Sequence, residues 1–226
     1  MRAEILRAAT RAFAERGFDG TSLQDIADAV GLRKASLLYH FASKEQLRLG
    51  VLEELLERWN AVLPRFLMAA AGRGPRFGGV MQELVEFFAA DPNRARLLLR
   101  EILDRPDDMR ERLETHVAPW VKVVADSIRE GQKAGDIHVT VDPEAYVLQV
   151  INMVVSGVAT AASLAGALIT EAPAPHAKAP RGNGRRKPSV AVRGQATPAE
   201  RTTHELLRIA RESLFRERAS SRSESR

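Results

Sequence analysis

Gly31-Leu32-Arg33-Lys34-Ala35-Ser36-Leu37-Leu38-Tyr39-His40-Phe41-Ala42-Ser43-Lys44 gathers a turn glycine, a cationic helix start, hydroxyl groups and a Tyr-His pair into one short segment. A glycine has no Cβ to clash in a left-handed backbone, so Gly31 predicts the end of one helix and the immediate start of another. On a helix over residues 33–41, Leu37 and Phe41 lie four apart and face inward. Arg33, Lys34, Ser36, Tyr39, His40 and Lys44 are side chains that bond phosphates or base edges, and most fall on the exposed side. A merely solvated basic helix would have a similar composition, so the flanking residues decide between the two.

Upstream, Ile5, Ala9 and Phe13, with Leu6 and Ala12, recur at helical spacing and predict an amphipathic helix over residues 4–16. Gly17-Phe18 reads as a glycine stop with a hydrophobic residue folded back. Ser22-Leu23-Gln24-Asp25 is a capping box for a short second helix whose inner face is Leu23, Ile26, Ala27 and Val30. Helices two and three, joined through Gly31, therefore make a helix-turn-helix, with helix one as the remaining core wall.

Downstream, Ser43 with Gln46 caps a long helix through Leu47, Val51, Leu55, Trp59, Val62 and Phe66. Pro64 is expected to kink or end it, and Gly72-Arg73-Gly74-Pro75 to break it. Further helices are predicted over residues 80–90 and from Asp91-Pro92 onward, then a single longer helix over residues 105–134, kinked at Pro119 and stopped by Gly135. Asp142-Pro143 caps a helix to about residue 168 that has no charge between Tyr146 and Thr170. That run is long enough to cross a bilayer. It nonetheless carries a polar stripe (Gln149, Asn152, Ser156, Thr160, Ser163) and a line of small residues (Gly157, Ala161, Ala165), which favours burial in a domain or between subunits. Residues 171–196 are rich in Pro, Ala, Gly and Arg and read as a disordered basic linker. Thr197-Pro198-Ala199-Glu200 caps a last helix with a Leu206, Leu207, Ala210, Leu214 seam, before an Arg/Ser tail at 219–226 expected to fray. The alternation at residues 137–141 is too short to predict a sheet.

The chain has 226 residues and no cysteine, which excludes disulfides and thiolate metal sites, and its first residues lack the apolar core of a signal peptide. A cytoplasmic protein without a membrane partner is expected. The net charge of +5 is uneven: residues 1–50 carry 8 Lys/Arg against 6 Asp/Glu, residues 51–170 carry 13 against 17, and residues 171–226 carry 13 against 6. Basic ends around an acidic middle suit a polyanionic partner.

The stretch from Phe13-Ala14-Glu15-Arg16-Gly17-Phe18-Asp19-Gly20-Thr21-Ser22-Leu23-Gln24-Asp25-Ile26-Ala27, with Gly31 to Lys44-Glu45-Gln46-Leu47, resembles the DNA-binding domain of the tetracycline-repressor (TetR) family, continuously over residues 4–52. The resemblance implies an all-α fold, with an N-terminal three-helix helix-turn-helix DNA-binding domain and a larger helical ligand-binding and dimerisation domain. Residues 1–46 would form the first, 47–170 the second, and 197–218 a C-terminal dimerisation helix. It implies a homodimer in which residues 145–168 and 198–216 pair across a two-fold axis, with Gly157, Ala161, Ala165, Leu206, Leu207, Ala210 and Leu214 at the interface. By position it sets Lys34, Ala35 and Ser36 near base edges, Tyr39 and His40 at bases or backbone, and Lys44, Thr21 and Ser22 on phosphates. Arg33 joins them on its chemistry. Leu38 departs from the family, which commonly has a hydroxyl-bearing aromatic there, so the phosphate load shifts to Lys34, Tyr39, His40 and Lys44.

The function so implied is a ligand-responsive transcriptional regulator, a repressor that binds an inverted-repeat operator in double-stranded DNA and is released by a small apolar or amphipathic inducer. Trp59, Phe88, Met109, His116, Trp120, Asn152 and Met153 are the candidate pocket residues: mostly apolar, with a few polar groups. A helical protein-interaction module without specific DNA binding is the alternative. An enzyme is disfavoured, because the five histidines (His40, His116, His138, His176, His204) have no metal spacing and there is no thiol nucleophile or phosphate-binding glycine loop. No catalytic residue, metal or cofactor is expected.

Overall fold

Two hydrophobic cores organise the helices of the described residues. The computed structural model describes residues 1–71, 76–169 and 197–215. The first core joins α1 (Arg2–Arg16), α2 (Leu23–Ala29), α3 (Lys34–His40) and the start of α4 (Lys44–Ala71). Ile5, Ala9 and Phe13 of α1 meet Ile26 and Ala27 of α2, Leu37 of α3, and Leu47 and Val51 of α4. The turns follow the local chemistry. Gly17 ends α1 at φ +77°, and the Phe18 ring returns to 5.7 Å from Phe13. The Ser22 hydroxyl accepts from the Asp25 N–H at 3.1 Å, while the Asp25 carboxylate accepts from the Ser22 N–H at 3.2 Å. Gly31 has φ +68°, with open space where a Cβ would stand. Gly31→Ala is therefore expected to cost about 1–2 kcal/mol through backbone strain alone, and Gly31→Asn less, measurable as the shift in thermal midpoint.

The second core is built by α5 (Arg76–Ala89), α6 (Pro92–Asp104), α7 (Pro106–His116), α8 (Ala118–Lys133), α9 (Pro143–Leu168) and α10 (Pro198–Leu214), closed by the outer part of α4. α9 is its centre and packs on α5, α6, α8 and α10. Arg96 of α6 donates to the Ala159 carbonyl of α9 at 3.0 Å, and the Tyr146 hydroxyl of α9 donates to the Ala210 carbonyl of α10. Asp142 and Thr197 cap α9 and α10 as their sequences predict.

The structure overturns one expectation and sharpens others. Pro64 does not end α4, which continues to Ala71. Pro64 is exposed, so water can take the Asn60 carbonyl it leaves without a donor. Residues 105–134 form two helices, not one kinked helix, with the joint at Val117. Pro119 thereby falls in the first turn of α8, where a missing N–H costs no hydrogen bond. α9 is buried on one face only. Residues Pro143–Ala165 are long and apolar enough to cross a membrane, yet a third of that stretch is buried inside the chain. Gln149, Asn152, Ser156 and Ser163 are exposed. The alternation at residues 137–141 forms no sheet, as its length predicts, and yields one isolated antiparallel bridge, Ile137 to Phe215, tying the end of α8 to the end of α10.

Part of the expected dimer seam is already covered within the chain. A Cβ on Gly157 would stand 3.4 Å from Leu206 Cδ1 of the same chain. Ala165, Ala210 and Leu214 are fully buried, and Leu206 and Leu207 pack half-buried on the second core. Gly157 and Leu206 thus meet between α9 and α10 of one chain, where a small residue lets two helices approach closely. Ala161, half-buried, adds little surface. The Gly72–Pro75 break, the 171–196 linker and the 219–226 tail lie outside the described residues.

Candidate nucleic-acid interface and effector cavity

α3 is held by what it buries. Leu37 is 0% exposed and Phe41 sits beside it, so the rest of the helix is turned outward. Arg33, Lys34, Ala35, Ser36, Tyr39 and His40 are all exposed, Tyr39 to 88%. The Tyr39 and His40 rings meet edge-on at 5.7 Å. Among the described residues, no carboxylate lies within ion-pair distance of Arg33 or Lys34. Such an array of uncommitted donors and an aromatic on a rigid helix can grip phosphates and base edges. Leu38 is half-buried.

The supporting residues divide. Ser22 is exposed at the start of α2, its oxygen accepting the Asp25 N–H. Lys44 projects its ammonium 4.2 Å above the Phe18 ring, a cation–π contact that fixes its position at the start of α4. Thr21 is a correction. It is 2% exposed, and its hydroxyl donates to the carbonyls of Ala12 and Gly17 (3.1 and 2.8 Å), so it locks the turn and offers nothing to a phosphate. The backbone N–H and hydroxyl of Ser22 hold the Asp25 carboxyl below its ordinary value of 3.8. The cap is therefore fully present at neutral pH and is lost as pH falls through that lowered value.

Behind this face, Arg48 of α4 is 1% exposed and carries three carboxylates. Its guanidinium donates to Glu101 at 2.5 Å, to Asp108 at 3.0 Å and, through Nε, to Glu45 at 2.7 Å. Burial alone would disfavour the charge, but the bonds and charges of Glu45 and Glu101 outweigh it and hold the side chain protonated more firmly than usual. Arg100 of α6 donates to the Ala14 and Glu15 carbonyls at the end of α1 (3.0 and 3.2 Å). α6 thus grips both α1 and α4. The sequence reading missed Arg48 and Arg100, since the partners that tie them to other helices lie between 53 and 86 residues away.

The opposite side of α6 faces a cavity of about 810 Å³ between α4 and α9, within the range of about 300–1,000 Å³ typical of small-molecule sites. Its wall is apolar: Leu52, Leu55 and Trp59 from α4, Leu84, Phe87 and Phe88 from α5, Leu98, Leu99 and Ile102 from α6. Met109 and Leu113 of α7, Trp120 and Val121 of α8, and Ile151, Asn152 and Val155 of α9 complete it. Trp59 is central, 5.2 Å from Phe87 and 5.1 Å from Trp120. Of the pocket residues expected from sequence, Trp59, Phe88, Met109, Trp120 and Asn152 line the cavity, while His116 and Met153 do not. His116 ends α7 at the joint that the single-helix reading overlooked, and Met153, rotated about 100° from Asn152 on α9, packs in the second core. Leu52 and Met109 belong to the cavity wall and the first core at once.

Comparison with known proteins matches two separate stretches of the chain. Residues 5–51 match the family model described as bacterial regulatory proteins, tetR family, and residues 98–172 match the tetracyclin repressor-like, C-terminal domain. The HTH-type transcriptional regulator RutR of Escherichia coli K12 is 47% identical over 62 residues, 27% of this chain but only 29% of RutR. The HTH-type transcriptional repressor KstR2 of Mycobacterium tuberculosis is 30% identical over 149 residues, 61% of this chain and 72% of KstR2. The solved structure of that ketosteroid regulator superposes with a TM-score of 0.66 at 20% identity, over 96% of this chain and 95% of its own. AibR, solved with isovaleryl coenzyme A and operator DNA, gives 0.63 at 20% identity, over 92% and 96%. With two stretches matched and a repressor aligned over 72% of its length at 30% identity, the chain belongs to the tetracycline-repressor (TetR) family of transcriptional regulators.

Proposed function

We propose that this regulator is a repressor that binds an inverted-repeat operator as a homodimer and is released when a small apolar or amphipathic inducer fills the cavity. The observation that carries the reading is the sharing of Leu52 and Met109 between the cavity wall and the core beneath α3. A ligand that reshapes one side of those residues changes what α3 rests on. Residues 1–46 then act as the reading unit, and 47–170 with 197–218 as the effector and dimerisation unit, in the cytoplasm. The two copies of α3 enter successive major grooves, with Arg33, Lys34, Ala35, Ser36, Tyr39 and His40 on the DNA and Ser22 and Lys44 on flanking phosphates. The two-fold contact uses the exposed uncharged face of α9, at Gln149, Ser156, Ser163 and Leu164, where association strips water from no charge. AibR, solved with both an acyl thioester and its operator, supports this pairing of site and function.

The inducer needs only differential affinity for the two dimer shapes, about 1–3 kcal/mol of coupling. The test is selection of bound duplexes from random DNA, followed by titration at several salt concentrations. Recovery of one inverted repeat, bound with a steep negative salt dependence and protecting a two-fold footprint, is the expected result. Recovery of no common sequence, with only diffuse salt-labile binding, would favour a protein-interaction module instead.

A further inference from the structure

The rim of the cavity differs from its wall. Among the described residues of the lining, Asn152 is the sole uncharged polar one, so a sugar or nucleotide placed there would lose its hydrogen bonds to water without replacement. Five charged residues join the lining: Arg110, Arg112, Glu114, Lys122 and Glu144. Two of these are already neutralised, since Lys122 pairs with Asp126 at 3.1 Å and Glu144 pairs with Arg129. Arg110 and Arg112, by contrast, have no carboxylate within ion-pair distance among the described residues. Both sit on α7, the helix that also supplies Met109 and Leu113 to the apolar wall and Asp108 to Arg48.

We infer that the inducer is an anionic amphipath, with an apolar chain or ring body in the cavity and a carboxylate or phosphate head held by Arg110 and Arg112. This rests on the reading of the cavity as the effector site. A guanidinium presents several donors in a fixed fork that suits either oxyanion, and the two arginines outnumber the one uncommitted carboxylate, Glu114. Holding the head draws α7 toward the ligand, and α7 is the element that Asp108 ties to α4. A free carboxylate and a phosphate-bearing thioester share this chemistry, and the test separates them.

The chain has two tryptophans, Trp59 and Trp120, and both line the cavity, so intrinsic fluorescence reports its occupancy. The full-length protein is titrated with dodecanoate, dodecanol and dodecanoyl coenzyme A, and operator release is followed in parallel. At least one anionic probe is expected to bind about tenfold or more tighter than dodecanol. Preference for dodecanoate identifies the carboxylate source and preference for the thioester the phosphate source. The Arg110→Ala/Arg112→Ala variant should lose that preference and keep its affinity for dodecanol. Glu114→Gln should tighten the anionic probe modestly. Equal binding of alcohol and anion, or an unchanged preference in the double variant, overturns the headgroup assignment while leaving the cavity as effector site. If no probe alters tryptophan emission, or bound probe leaves operator affinity unchanged, the effector-site reading itself falls and this inference with it.

Discussion

Replacing Lys34 and Tyr39 together by alanine is expected to abolish specific operator retention while leaving the protein folded. Each contact to DNA carries about 1–3 kcal/mol, and a homodimer loses it in both half-sites. One substitution therefore removes about 2–6 kcal/mol per dimer, and the pair drops affinity by three orders of magnitude or more. The two side chains should fail differently. Without Lys34, binding weakens evenly across sequences and the salt dependence becomes shallower, because a phosphate partner is gone. Without Tyr39, discrimination between operator and scrambled duplex narrows. Both residues are exposed and rooted on a helix that Leu37 anchors, so thermal midpoints should move little. Leu37→Ala is the contrasting control: it leaves every DNA-facing side chain in place and costs about 2–5 kcal/mol of stability by emptying the core beneath them. Wild-type operator affinity in the Lys34/Tyr39 variant, read by anisotropy across a salt series, would remove α3 as the reading helix.

How far this architecture could be read without coordinates depended on the range of the interactions involved. The reading unit was legible because its signals are local. Ser22 and Asp25 specify their cap within four residues, Gly31 takes the positive φ its turn demands, and the Leu37–Phe41 spacing says which side of α3 is buried. Thr21 misled because a hydroxyl at a helix start suits an anion and a buried turn equally well, and only the position of the Ala12 carbonyl decides. The cavity was half legible. Trp59 and Trp120 stand out by size, but Leu98 and Leu99 look like any core stripe, and nothing within the sequence separates a wall from a filled interior. The split at Val117 was hidden because Pro119 permits both a kink and a fresh helix start. Within the α9–α10 seam, Ala165, Ala210 and Leu214 are already covered in the single chain, which the sequence could not show, since periodicity marks a buried face without saying whose surface buries it.

Arg48→Ala is expected to be the most damaging single substitution in the chain away from the apolar cores. It leaves Glu101, 5% exposed, facing a cavity with no counter-charge, and breaking a buried pair this way costs about 3–5 kcal/mol. For a chain of this size that corresponds to a fall in thermal midpoint of about 6–20 °C. Removing both charges separates stability from signalling. In Arg48→Met/Glu101→Leu the buried ions are replaced by apolar side chains of similar bulk, and most of the lost stability should return. The link between α4 and α6, however, is then a greasy contact with no fixed geometry, where the native chain has a charge-assisted bond at 2.5 Å. The double variant should bind operator and fill its cavity as the native protein does, yet release DNA only weakly on inducer addition. A native release curve in that variant would mean that the network holds the fold alone, and that coupling runs instead through Leu52 and Met109, the residues the two cores share. A native thermal midpoint in Arg48→Ala would mean that the Arg48–Glu101 pair adds nothing net to the stability of the fold.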